Sequence, residues 1–439
     1  MSNDPLRPLV LEAWHSVDRE ERPAHEALRQ VFRRARKLTS AQRERIVETL
    51  ETLLRERRRV YYALECAGLD NLPHSRKPEA IYLAARVLGG SMTAVTASHE
   101  CPGIKWDVLD DVDVQIDRIA DKDTRLALKY SLPDLLIPPL REVAEREGTV
   151  LERMLTAMRK EPPTVLRVNT LQTTRDKLLR ELKELKMNTF ACRLSDCGIV
   201  VKEYYDLHGL DAFDRGCFEI QDESSQLCAK LVAPPPHGVT VDFCAGAGGK
   251  TLALAALLNG RGRLVALDRH SGRLLELKKR AKRAGVANLQ VLELPEKIAS
   301  LREFGPLKPY IRKAERVLVD APCSGTGVLA RKPEIRWRIT AEELKRLPEQ
   351  QEAIARRALE LVAPGGRLIY ATCSLLRAEN EAVVERLLAD SNLTLVPPKE
   401  ILGGAFATEI ADASGQYMKL LPHIHKTDGF FAAVLRRKK

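Results

Sequence analysis

Asp320, Cys323 and Cys373 are the residues of this 439-residue chain whose types and spacing suggest covalent chemistry. Val317 to Asp320 is an apolar run ending in an acid, followed by a turn at Ala321 and Pro322 and a loop carrying Cys323, Gly325 and Gly327. A second apolar run, from Leu368, delivers Cys373 between Thr372 and Ser374. A thiolate presented at the end of a strand can add to an electron-poor ring, provided its pKa falls from about 8.5. A third apolar run ends at Asp242 and opens into Cys244, Ala245, Gly246, Ala247, Gly248, Gly249 and Lys250. Glycines there let the backbone approach a ligand closely at the start of a helix.

That loop has a rival reading. Gly249, Lys250 and Thr251 end as a phosphate-binding P-loop does, and Val317 to Asp320 resembles a magnesium-binding strand. The required spacing, however, puts Cys244 where the first glycine should stand. Asp268 closes the next apolar run, about twenty residues beyond the loop, where an acid can accept the ribose hydroxyls of a nucleoside cofactor. Its alternative is to cap the helix beginning near Ser271. Loop and acid together point to an adenosine-containing cofactor without separating NAD from S-adenosylmethionine. The cysteines separate them, because two thiols at neighbouring strand ends, in small-residue turns, leave room for a planar ring to which sulfur can add. Residue chemistry alone does not rank Cys323 against Cys373. His423 and His425 have no matching ligands nearby and no CxxC pair is present, so no metal is expected.

The elements that must position these residues follow from the pattern. From Val239 onward, strands are predicted over 239–243, 263–267, 289–293, 316–320 and 367–371, with a last one over 429–435. Helices are predicted near 249–258, 271–284 and 341–362, the last capped by Thr340 with Glu343 and stopped at Pro364, Gly365 and Gly366. Such alternation predicts a parallel α/β sheet covered on both faces, with ligands at its carboxyl ends. Residues 1–125 read as all helix. The strongest segment runs from Ser40 to Ala67, with Ile46, Leu50, Leu53, Leu54, Tyr61 and Leu64 on one face, Thr39 or Ser40 as N-cap and Gly68 as stop. Its polar face carries Arg55 to Arg59, available to solvent or to nucleic acid. Residues 126–215 contain a helix over 140–159, extended segments at 164–169 and 199–202, and a helix over 174–186. They read as a linker helix and a small α+β appendage ahead of a sheet domain at 216–439.

A formal net charge of +11 predicts a polyanionic partner. No apolar run approaches the ~20 residues that cross a bilayer, and Met1 to Pro5 lacks an export pattern. Nine scattered cysteines then read as reduced thiols. The expectation is a cytoplasmic monomer with no membrane partner.

Seven segments in this order resemble the Sun/Fmu-type RNA cytosine carbon-5 methyltransferases, most closely the RsmB group acting on small-subunit ribosomal RNA. They are Leu166 to Asn169, Gln221 to Ser225, Asp242 to Thr251, Asp320 to Ser324, Arg331 to Trp337, Ala371 to Ser374 and Asp428 to Phe431. The resemblance implies a Rossmann-like class I methyltransferase sheet at the C-terminus and a NusB-like RNA-binding helical domain at the N-terminus. It implies that Cys244 to Lys250, Asp268 and Asp320 hold S-adenosylmethionine and that Cys373 adds to carbon 6 of a cytosine in RNA. Asp320 would contact the base edge and Cys323 would assist product release. Two departures stand out. The family's Ala-Ala-Pro-Gly-Gly-Lys loop is here Ala245-Gly-Ala-Gly-Gly-Lys250, and Glu293 stands near the usual adenine-facing acid.

Overall fold

The structure is a computed structural model that describes residues 4–295, 300–390 and 392–439. The chain forms two compact units. One comprises Met1–Glu142, Leu151–Lys160 and Leu329–Thr340, the other Val143–Val150, Glu161–Val328 and Ala341–Lys439.

The first unit is helical, organised on the helix Ser40–Cys66. Thr39 caps it reciprocally: its hydroxyl accepts from Gln42 N at 3.2 Å, and the Gln42 side chain accepts from Thr39 N at 3.0 Å. Gly68, at φ +90°, ends the run in the left-handed region. Ile46, Leu50, Leu53, Leu54 and Leu64 are buried on the predicted stripe, packed in one core with Trp14, Val31 and Leu83. The arginine run does not form the open polar face that its sequence suggested. Arg55 and Arg59 are buried, and Arg55 donates to the carbonyl of Ala330. Arg57 pairs with Asp18 at 2.8 Å, Arg58 with Asp134 at 2.9 Å and Arg59 with Asp113 at 2.6 Å. These cations are engaged by acids and carbonyls of the same unit: residues 113–134 meet Arg58 and Arg59, and the segment 329–340 meets Arg55. Arg336 from this segment is wholly buried and donates to the carbonyls of Arg55, Ser131, Met158 and Leu329 at 3.0–3.3 Å.

A single helix over 140–159 is not formed. Two are, Ile137–Arg146 and Leu151–Arg159, separated where Gly148 takes φ +60°.

The second unit carries two sheets. Strands β1 (Thr164–Val168), β2 (Thr189–Ala191), β3 (Gly198–Val201) and β4 (Phe218–Ile220) form an antiparallel sheet in the order β2-β3-β1-β4. Leu178 and Leu182 of the helix Arg175–Glu184 bury against Leu166, Ile199 and Phe218. The larger sheet contains β5 (Val239–Asp242), β6 (Arg263–Asp268), β7 (Leu289–Glu293), β8 (Ala314–Asp320), β9 (Val362–Thr372), β10 (Leu393–Val396), β11 (Met418–Leu420) and β12 (Phe430–Arg437). Its order is β10-β12-β9-β8-β5-β6-β7, with β11 beside β12. Strands β5 to β9 run parallel and β12 runs antiparallel between β9 and β10.

The chain winds outward from β5 to β7, then returns to the other side of β5 for β8. This reversal places the topological switch point between β5 and β8, where a doubly wound sheet opens a crevice beyond its carboxyl ends. Two boundaries differ from the sequence reading. The helix starting at Ala341 ends at Ala358, and β9 begins at Val362. Pro364, Gly365 and Gly366 interrupt the β8–β9 register as an irregularity inside β9, with Gly365 at φ +75°, so they bend a strand where a helix stop was expected.

Candidate active site

Parallel pairing of β8 with β9 aligns Asp320 with Ala371. The next residue after β9 is Cys373, and three residues beyond β8 is Cys323. The two sulfur atoms lie 3.3 Å apart, not joined in a disulfide and both partly exposed. Tight turns make this approach possible. Gly327 N donates to Cys373 O at 2.9 Å and Gly429 N to Gly327 O at 2.8 Å, and a β-carbon on Gly327 would lie 2.2 Å from Gly429 O. The Asp428 to Phe431 segment thus closes on the thiols from β12. Its Phe430 ring centre lies 4.8 Å from Lys250 Nζ.

The hydrogen bond to Cys373, burial and the charge of Glu379 push the Cys323 thiol well above its ordinary value. At 3.3 Å the two thiols cannot both ionise, since two like charges at this separation are not tolerated.

The glycine loop sits at the adjoining strand end. Gly246 (φ +54°) donates its N–H to Asp268 Oδ2 at 2.8 Å, while Asp268 Oδ1 accepts from His270 N at 2.8 Å. Gly248 (φ +88°) caps the helix Gly249–Leu258, and a β-carbon there would strike Leu277 Cδ1 at 2.1 Å. Arg280 donates to Ala247 O at 2.7 Å and pairs with Glu219 at 2.8 Å, which pins the loop from the side. Lys250 Nζ donates to Asp320 Oδ2 at 2.7 Å. Burial alone would lower the lysine's pKa, but Asp320 more than offsets it and the value rises. Burial pushes the Cys244 thiol well up, which disfavours its thiolate.

The structure brings Asp320, Cys323, Cys373 and Lys250 together, with Gly246 and Asp268 at the next strand ends. Glu293 pairs with Asp268 across β6 and β7 and is exposed. Sequence reasoning assigned no role to Asp242, Arg280 or Phe430. Asp242 is buried, its Oδ2 accepts from Thr251 at 2.7 Å, and its Oδ1 has no partner. Its position as the last residue of an apolar strand was the available signal.

An adenosyl cofactor fits these residues. Nothing lies within 4 Å of the position of a β-carbon on Gly246, which leaves a cradle beside the anchored carboxylate of Asp268. The buried, unpartnered oxygen of Asp242 at the same strand end offers a further acceptor. Among the described residues no cluster of metal-ligating side chains occurs, and no helix is long and apolar enough to cross a membrane.

A Rossmann-like sheet with this strand order and this loop defines an S-adenosylmethionine-dependent methyltransferase. Residues 229–436 match the family model described as 16S rRNA methyltransferase RsmB/F, and residues 140–208 match that of the RsmF/B-like ferredoxin-like domain. A Synechocystis protein named "Probable ribosomal RNA small subunit methyltransferase B" is 33% identical over 71% of this chain and 68% of its own length. A human enzyme named for carbon-5 methylation of a cytosine in 28S rRNA is 30% identical over 71% of this chain and 38% of its own. A solved methyltransferase homologue from Pyrococcus horikoshii superposes with a TM-score of 0.59, covering 73% of this chain and all of that one, at 26% identity. The chain belongs to the RsmB/F family of rRNA methyltransferases.

Proposed function

We propose that this protein methylates carbon 5 of a cytosine in small-subunit ribosomal RNA through a covalent adduct on Cys373. The observation that carries the reading is the 3.3 Å approach of the Cys323 and Cys373 sulfurs, at the ends of adjacent strands that also present Asp320. The names of the relatives, which act on rRNA and in one case at cytosine carbon 5, support the substrate.

In this scheme Cys244 to Lys250, Asp268 and Asp320 hold S-adenosylmethionine, which supplies an electrophilic methyl group when bound. Cys373 loses its proton and forms a bond to carbon 6 of the base, shifting electron density onto carbon 5. Carbon 5 then takes the methyl group, and the turns at Gly246 and Gly248 serve to fix the distance between the two reactants. Asp320, held by Lys250, hydrogen-bonds the base edge and stabilises the adduct. Transfer of the carbon 5 proton to water restores the ring double bond and breaks the carbon–sulfur bond, expelling Cys373 as a thiolate. Cys323, in contact with Cys373, assists that release by giving its proton to the departing sulfur. The base must leave its stack for sulfur and methyl donor to reach it from opposite faces.

The helical unit, as a NusB-like domain, and the small antiparallel sheet would supply RNA contacts in keeping with the net charge of +11. We place the activity in the cytoplasm.

The test is transfer of labelled methyl from S-adenosylmethionine to unmodified small-subunit rRNA. Cys373→Ala should abolish transfer and leave cofactor affinity within about twofold, because Cys373 lies off the glycine loop. Turnover by that variant would reject the role.

A further inference from the structure

Glu379 is 1% exposed, in the single turn Arg377–Glu379 that follows the Cys373 loop. Its Oε1 accepts from Ser324 Oγ at 2.5 Å and Ser374 Oγ at 2.6 Å. Its Oε2 accepts from Ser324 N at 2.9 Å and from Gln351 Nε2 at 2.8 Å. Ser324 follows Cys323 and Ser374 follows Cys373, so one carboxylate grips the residue next to each thiol. The neighbouring Asn380 completes the hold: its Oδ1 accepts from Thr372 Oγ1 at 2.5 Å and its Nδ2 donates to Ser374 O at 2.9 Å. Those two residues flank Cys373.

Among the described residues Glu379 forms no ion pair. The groups facing it are Gln351 from the helix Ala341–Ala358, Tyr370 from β9, whose hydroxyl donates to Glu379 O at 2.5 Å, and the thiol of Cys323. Arg377 on the same turn is engaged by Glu385 at 2.9 Å. A buried carboxylate without a counter-ion costs more than an apolar residue of similar size would, so its retention points away from a purely stabilising role. Four donors satisfy it, and every one except Gln351 belongs to a thiol-bearing turn.

We infer that Glu379 is a positioning residue that sets the separation and orientation of the two thiols. This inference rests on the reading of Cys373 as nucleophile. The carboxylate acts on both sulfurs by fixing the residues beside them, and its charge stands at the Cys323–Ser324 peptide, whose N–H it accepts at 2.9 Å, where it opposes a thiolate on Cys323.

The experiment uses the full chain with Glu379→Gln, Glu379→Asp and Cys373→Ala in parallel. Two quantities are read: kcat for methyl transfer to unmodified small-subunit rRNA, and the pH midpoint for alkylation of Cys323 by iodoacetamide without RNA or cofactor. Glu379→Gln should lower kcat roughly 10–100-fold at unchanged cofactor KM and move the Cys323 midpoint to lower pH. Glu379→Asp keeps the charge and should leave the midpoint in place while losing part of kcat. Wild-type kcat in Glu379→Gln, or a lowered kcat with an unmoved midpoint, would overturn the inference. Should Glu379→Gln not fold, Ser374→Ala replaces it: about tenfold lower kcat with an unmoved midpoint is expected, and full turnover would overturn the inference. Turnover by Cys373→Ala would instead defeat the nucleophile assignment, and the alkylation profile would still report on Glu379.

Discussion

Lys250 Nζ donates to Asp320 Oδ2 at 2.7 Å, joining the first turn of the helix after the glycine loop to the last residue of β8. The lysine stem is buried, so removing the ammonium leaves Asp320 without its counter-ion. Lys250→Met and Asp320→Asn should each weaken S-adenosylmethionine binding, and the double variant should be no worse than the worse single one. The coupling free energy expected from calorimetric titration is about 1–3 kcal/mol. Additive losses would show that the pair does not act as a unit.

Cys323→Ala should stall after methyl transfer. Without the partner sulfur, release of Cys373 from carbon 6 slows, and a protein–RNA band resistant to denaturation should accumulate in gels. Adding Cys373→Ala should remove the band. Active Cys323→Ala protein that forms no band would count against the release role.

Burial pushes the Asp242 carboxyl from 3.8 up to about 7. The folded chain therefore keeps a proton that the unfolded chain releases above pH 3.8, so the folded state binds more protons across that window. Stability from this group falls as pH rises from about 4 to 7, by up to about 4 kcal/mol. Asp242→Asn removes the dependence. In urea unfolding at pH 4.5, 5.5 and 7, the variant should gain on the wild type as pH rises; parallel curves would contradict this.

Arg336→Met leaves the carbonyls of Arg55, Ser131, Met158 and Leu329 buried without that donor. A loss of roughly 3 kcal/mol or more is expected in the helical unit. Hydrogen exchange should quicken across Ser40–Cys66 and 329–340. Unchanged exchange would mean that the carbonyls find other partners.

The parts of this protein legible before folding were those written in local pattern. Asp320, Cys373 and the loop from Cys244 to Lys250 each end an apolar run, and a strand end is where an α/β sheet builds its site. The helix Ser40–Cys66 was legible because its apolar period, its Thr39 cap and its Gly68 stop agree. Other features were opaque because a distant segment decides them. Arg55 and Arg59 carry the chemistry of a solvated face, and distant segments engage them, Ala330 and Arg336 at Arg55 and Asp113 and Lys129 at Arg59. Gly148 splits an amphipathic run that has the periodicity of one helix. Gly365 serves a strand bulge where the sequence suggested a helix end.

The sequence by itself determined which groups are available, two thiols, an acid and a flexible loop, and the strands that deliver them, because side-chain type and hydrophobic period are properties of the chain. Tertiary structure alone decided that the thiols meet at 3.3 Å, that Lys250 neutralises Asp320, and that Glu379 ties both thiol turns together. Those relations join residues 50, 70, 55 and 5 positions apart in the chain. The longer ones come from parallel strand pairing and its crossover connections, which no local period encodes.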